Sequence, residues 1–351
     1  MKIDEVVSRL RRKAYLLRDY LATLRYRIDR NAVRLTVQTL KELPDSQPAG
    51  ARWLVLFAHY DPQDEVDDYV RFYLEKLSEL GAAIIFVSGS PNLKPEAAAG
   101  IAPLCAGIYT RNSLSLDFGS WNLAWQQMQR KGWKLGGFEK CIFANDSVYG
   151  PLFNLSEMFS QFVGADMFGV TENTEVWKFA GKEEAYPHLQ SYFLVWNIQP
   201  STQQFIEEFW NDFRYIVRKD EVIARYEIGI SRRARDRGLR IKAYIPNSAA
   251  RSAAEKDQDH EHREAIRGRD VNNTILLWDT IISCLRCPFL KTVVPRSNPY
   301  GSVKIRELSA FLNTWTDYNP QLISRNLERL GLCQMPALAQ EPNGSESPSN
   351  A

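Results

Sequence analysis

Between Trp53 and Val87 the chain runs apolar, then amphipathic, then apolar. Trp53–Ala58 and Ala82–Val87 are unbroken hydrophobic stretches, and Val66–Leu80 carries apolar residues at helical spacing and stops at Gly81. Runs so short and so uniformly apolar suit strands buried on both faces, because a half-exposed strand would alternate. Strand, helix and strand in succession make a parallel pair with the helix crossing one face. The pattern then repeats. Gly107–Tyr109 reads as strand, Phe118–Lys131 as helix, Cys141–Ala144 as strand, Leu155–Phe162 as short helix and Met167–Val170 as strand. Further on, Ser191–Trp196 reads as strand, Ser201–Val217 as helix and Glu221–Arg237 as mostly helix. Leu239–Ile245 is a strand stopped by Pro246, and Ile275–Cys284 is a helix. The expected fold class is α/β, a mostly parallel sheet flanked by helices on both faces.

The flanks read differently. In Met1–Leu43, apolar residues recur near helical spacing at Val6, Val7, Leu10, Tyr15, Leu16, Leu17 and Leu21. The remaining positions hold Arg9, Arg11, Arg12, Arg18, Arg25, Arg27 and Arg30. Such an Arg-rich helical segment suits either a solvated face packed on the domain or a peripheral contact with anionic lipid. Leu43–Gly50 reads as a linker and Ser88–Pro103 as a loop. Residues 247–273 form a polar insertion, 302–335 a C-terminal helical segment, and 336–351 a Pro/Ser/Asn-rich tail of disordered composition.

Several function classes are excluded early. A net charge of +2 leaves no broad basic field for nucleic acid. Five cysteines, scattered and odd in number, fit reduced thiols in a cytoplasm. Cys284 and Cys287 form a C-x-x-C without a second pair, and His260 and His262 lie in a very polar stretch, which argues against zinc. No apolar run is long enough for a bilayer, and the charged N-terminus does not read as a secretory signal. The P-loop, the dinucleotide glycine fingerprint and the serine-hydrolase elbow are all missing.

Polar residues at strand ends carry the candidate chemistry, since open α/β sheets bind ligands at the carboxyl ends of their strands. Asn145-Asp146-Ser147 follows Cys141–Ala144 directly. Its hard oxygens suit Mg²⁺ or Mn²⁺ on a diphosphate, or equally a simple Asx turn. His59-Tyr60-Asp61 ends the first apolar run. Asp64 and Asp68 beyond it fit the positive end of the following helix. Arg111-Asn112 and Asp117 follow the third strand; Gly119, odd in a helix first turn, is best explained by close approach of a ligand to the backbone. His188 and Gln190 precede Ser191–Trp196. Glu227 has the chemistry of a general base for a sugar hydroxyl, or of a surface acid in a helix first turn.

At these residues the chain resembles the rhamnan synthesis protein F family of bacterial glycosyltransferases. The resemblance is carried by V-D-D-Y-V from Val66, F-V-S from Phe86, D-F-G-S-W from Asp117 and N-D-S-V-Y-G-P-L from Asn145. It continues in H-L-Q-S-Y-F from His188, Y-E-I-G from Tyr226 and N-P-Y-G from Asn298. It implies a rhamnosyltransferase-like catalytic domain over 51–301, of the single-domain nucleotide-sugar-binding (GT-A-like) class. It also implies a dTDP-L-rhamnose donor, a glycan acceptor that is lipid-linked, and work in the cytoplasm or on the inner face of the cell membrane. By the same resemblance Asp146 holds a divalent metal, Glu227 is the catalytic base, and His59, Arg111, Asp117 and Asn145 bind the nucleotide. His188 and Gln190 then contact sugar or acceptor. The metal motif holds one carboxylate where the class has two, and Thr110-Arg111-Asn112-Ser113 stands where the family has Arg-Glu-Asn. A non-catalytic component of a polysaccharide assembly complex is the alternative; a glycoside hydrolase would need a carboxylate partner for Glu227 that the sequence does not reveal.

Overall fold

The structure is a computed structural model. It describes residues 35–332 except 113, 163, 175, 176, 180, 181, 185 and 257–271. Most of the Arg-rich segment, the centre of the polar insertion and the tail therefore lie outside the described residues.

The strands in chain order are β1 (Val37–Lys41), β2 (Trp53–His59), β3 (Ala82–Ser88), β4 (Gly107–Arg111), β5 (Lys140–Asn145), β6 (Val148–Tyr149), β7 (Met167–Asn173), β8 (Trp177–Phe179), β9 (Lys182–Glu184), β10 (His188–Leu189), β11 (Phe193–Asn197), β12 (Ile241–Ile245) and β13 (Leu290–Lys291). Nine of them form one sheet, in the order β1-β4-β3-β2-β5-β11-β7-β10 with β12 also on β7. The pairs β4–β3, β3–β2, β2–β5 and β7–β12 are parallel. The strand β11 runs against both β5 and β7, so β2, β3, β4, β5, β7 and β12 all point one way. This mostly parallel, helix-flanked sheet is the expected α/β class and is compatible with a GT-A-like fold.

Alternation along each strand feeds two cores. Val55, Phe57, Ile84, Phe86 and Ile142 face one side, where helix α1 (Asp68–Ser78) lays down Tyr69, Val70, Tyr73, Leu74 and Leu77. Leu54, Leu56, Ile85, Val87 and Phe143 face the other, against helix α3 (Leu116–Arg130) and helix α4 (Pro200–Asn211). Both faces being covered is why these runs carry no polar alternation.

Four expectations need correction. The helix expected to reach Leu43 gives way to strand β1, which pairs antiparallel with the edge of β4; Val37 and Thr39 are β-branched. The loop expected over Ser88–Pro103 contains helix α2 (Pro95–Ile101), for which Pro95 is a favourable first residue. The helix from Ser201 stops at Asn211, six residues short of Val217. Within the polar insertion, Asn247–Lys256 is helix, burying Ala250 and Ala254.

Candidate active site

The carboxyl ends of β2, β3, β4 and β5 lie side by side, and three of the predicted groups meet there. Asn145 closes β5 and is 2% exposed. Its Nδ2 donates to Asp117 Oδ2 at 2.8 Å, while its Oδ1 accepts from Ser147 N at 3.1 Å and Ser147 Oγ at 2.6 Å. One side chain thus locks the turn and holds Asp117 against it. Asp146 follows, 8% exposed, with Oδ2 accepting from Tyr60 N at 3.1 Å. Its carbonyl accepts from the Tyr69 hydroxyl at 3.0 Å. His59 is 2% exposed; its Nδ1 lies 2.9 Å from Ser88 Oγ, and its Nε2 3.8 Å from Asp146 Oδ2. Tyr60, by contrast, is 53% exposed and forms the rim.

Enclosure sets the electrostatics. Burial, reinforced by the Asp117 charge, pushes the Asp146 carboxyl up to about 8. Burial and the Glu227 charge push Asp117 up to about 6. Burial pulls His59 down to about 4, against the upward pull of Asp61 and Asp67, so its imidazole is neutral beside Asp146 at pH 7.

Asp117 reaches the site by a strained route. Ser115 and Leu116, neither of them glycine, have φ of 59° and 49°. Ser115 bonds Ile216 through backbone and side chain, which holds that turn in place. The Arg111 guanidinium donates to the carbonyl oxygens of Asn112 and Leu114 and is 1% exposed. It braces the turn that delivers Asp117, while its buried Nε is left without a hydrogen-bond partner. Gly119 has a different reason from the expected one: a Cβ there would run into the Leu114 carbonyl and the Arg111 guanidinium, so protein rather than ligand crowds this glycine. Gly119→Ala is expected to cost about 1–3 kcal/mol by overpacking, read as a lower urea midpoint with an unchanged slope.

Glu227 faces the same edge from the other half. It ends a π-helical turn, Ile223–Glu227, and immediately precedes helix α5 (Ile228–Asp236). A π turn inserts a residue and re-aims the side chains after it, a device frequent at functional sites. Glu227 Oε1 accepts from Ser191 N at 2.9 Å. Each of Asp117 and Glu227 lies within the other's electrostatic reach, a pairing not visible in the sequence.

Two other predicted residues have their bonds satisfied by the fold. His188 is 1% exposed, with Nδ1 2.8 Å from Tyr186 O. The Gln190 Oε1 accepts from Thr171 Oγ1 at 2.7 Å and Thr274 Oγ1 at 2.5 Å, tying β7 to the helix at Asn273–Leu276.

Lys291, which no sequence pattern singles out, belongs to the group. Strand β13 pairs with β6 through Leu290↔Tyr149 and Lys291↔Val148, and Thr292 N donates to Ser147 O at 2.9 Å. The strand that carries Lys291 is thereby clamped to the Asn145-Asp146-Ser147 turn. An open cleft of about 770 Å³ beside Val37, Gln127 and Arg130 contains none of these residues.

The donor set bears on the expected metal. Among the described residues no group of three or more His, Cys, Asp and Glu forms a ready cation cage. Asp117 and Asp146, hard carboxylates that repel each other, do fit Mg²⁺ or Mn²⁺ of the kind bound by one or two carboxylates and completed by substrate phosphates. The described cysteines, Cys105, Cys141, Cys284 and Cys287, are all free thiols.

Comparison with known proteins adds one finding. The family model described as rhamnan synthesis protein F matches residues 84–345. No curated protein matches the chain.

Proposed function

The chain belongs to the rhamnan synthesis protein F family, whose role is of the glycosyltransferase type, and on that premise we propose that it is an inverting glycosyltransferase. It moves a deoxyhexose, L-rhamnose from dTDP-L-rhamnose, onto a growing cell-surface polysaccharide. The observation that carries this reading is the meeting of Asp117, Asp146 and Glu227 at the carboxyl edge of the sheet.

On this reading Glu227 takes the proton of the acceptor hydroxyl. The freed oxygen attacks the anomeric carbon, and the bond from that carbon to the diphosphate oxygen breaks with its electron pair leaving on the nucleotide. The Ser191 N–H orients the Glu227 carboxylate for this. Asn145 holds Asp117 in place, and Tyr60 at the rim is positioned to meet the nucleotide. A divalent cation, when bound with the donor, would be held by Asp146 and Asp117 and would supply Lewis-acid stabilisation of the diphosphate. The acceptor is proposed to be lipid-linked and the workplace the inner face of the cell membrane, reached peripherally. No helix among the described residues is long and apolar enough to cross a membrane.

The test is a melting-temperature panel on the full chain with dTDP-L-rhamnose and with UDP and GDP sugars, with and without Mn²⁺. A ligand at about 100 times its Kd stabilises by about 2.7 kcal/mol, a resolvable shift. We expect the dTDP sugar to give the largest rise. If no nucleotide sugar shifts the melt, the proposal fails.

A further inference from the structure

We propose that Lys291 is the protein's own cation for the donor diphosphate, holding it in the complex and stabilising the charge that builds on it as the glycosidic bond breaks. The proposal rests on the glycosyltransferase reading and deepens it.

The Lys291 Nζ lies 4.4 Å from the centroid of the Tyr192 ring, on its face. Among the described residues its ammonium donates no hydrogen bond and closes no ion pair. Lys291 is half-buried, and its ammonium has no acceptor from the protein, whereas a cation in such a position is normally paired. The acids it senses are Glu227 and Asp117, both within electrostatic reach and neither within ion-pair distance. Lys291 thus stands within reach of the two carboxylates assigned to base and nucleotide, with Lys219 a second cation nearby. Burial lowers the affinity of the Lys291 amine for its proton, and the two acids oppose that.

A third carboxylate would complete a structural ion pair, yet none is there among the described residues. A diphosphate would present oxygens to an ammonium at this place. Lysine serves phosphate as a point charge that follows its ligand on a flexible stem, and the Tyr192 face holds that stem until the ligand arrives. Lys291 is also tied to the metal-candidate turn through β13 and β6, so its position relative to Asp146 is set by backbone pairing. During transfer the carbon–oxygen bond gives both electrons to the phosphate oxygen. A fixed positive charge there acts where the charge develops and needs no reorganisation.

The experiment uses the full chain, its Lys291→Met and its Lys291→Arg variants, titrated with dTDP and UDP and separately with thymidine and uridine. Expected is a loss in nucleoside diphosphate affinity of about 30-fold or more in Lys291→Met, the scale of truncating one partner of a buried charge pair. Nucleoside affinity should stay unchanged, and most of the loss should be restored in Lys291→Arg. Circular dichroism melts of each variant confirm the fold, and Arg supplies a folded comparison if Met is unstable. If the wild type binds a diphosphate and Lys291→Met binds it equally well, this inference alone is overturned. If the wild type binds no nucleotide, the glycosyltransferase reading falls and takes it along.

Discussion

Glu227→Gln is expected to lower turnover by about 10²–10⁴-fold, the range a positioned general base contributes, while leaving donor affinity unchanged. Glutamine keeps the size of the side chain, and its Oε1 can still accept the Ser191 N–H now bound at 2.9 Å. The fold is therefore preserved while the proton acceptor is lost. The check is a set of initial rates at saturating donor and acceptor beside a direct donor titration. A second readout separates a base from a merely structural acid. After burial, the Glu227 charge is the largest cause holding the Asp117 carboxyl up at about 6. In the Gln variant that push disappears, so the Asp117 carboxyl should titrate lower. Unchanged turnover would remove Glu227 from the reaction.

How much of this was legible depends on where the information sits. Strands β2, β3 and β5 were plain, because burial on both faces leaves an unbroken apolar run. Asn145, Asp146 and Asp117 were legible as strand-end and helix-start polar residues, since topology alone brings such positions to one edge. The reversed direction of β11 was not. It depends on the excursion through β8, β9 and β10, which returns the chain to the same edge, and an apolar run says nothing of direction. The π turn at Glu227 leaves no periodic trace. Arg111 looked like a ligand-binding arginine because charge in a sequence carries no record of partners; it braces a turn through the carbonyls of Asn112 and Leu114. Lys291 was hidden because β13 is two residues long and its partner strand is Val148–Tyr149, far away in sequence.

Asp146→Asn is expected to make the ligand-free protein more stable at pH 8 and catalytically dead. In the fold the Asp146 carboxyl titrates at about 8 against an ordinary 3.8, so between those values the native state holds a proton that the unfolded chain has lost. Stability falls with rising pH wherever the native state binds more protons, so this group destabilises progressively as pH climbs toward 8. Asp117, raised to about 6, acts in the same sense below that pH. His59, lowered to about 4 from 6.5, acts in the opposite sense between those values. Of these three groups only Asp146 is still titrating between pH 6.5 and 8. That window is worth about 2 kcal/mol at 1.36 kcal/mol per pH unit, a fall of several degrees in melting temperature. Asparagine keeps an oxygen for the Tyr60 N–H and never ionises, so its melting curve should stay level across the window and lie above the wild type at pH 8. A protein that carries an unfavourable carboxylate here would give up stability for a group that works only once a cation or a phosphate-bound cation arrives. Adding Mn²⁺ at pH 8 in the presence of dTDP should therefore raise the wild-type melt further than dTDP alone, and should add nothing to the melt of Asp146→Asn. A wild-type melt that is flat from pH 6.5 to 8 would mean that Asp146 is ionised at no cost, and the gain expected from asparagine would vanish with it.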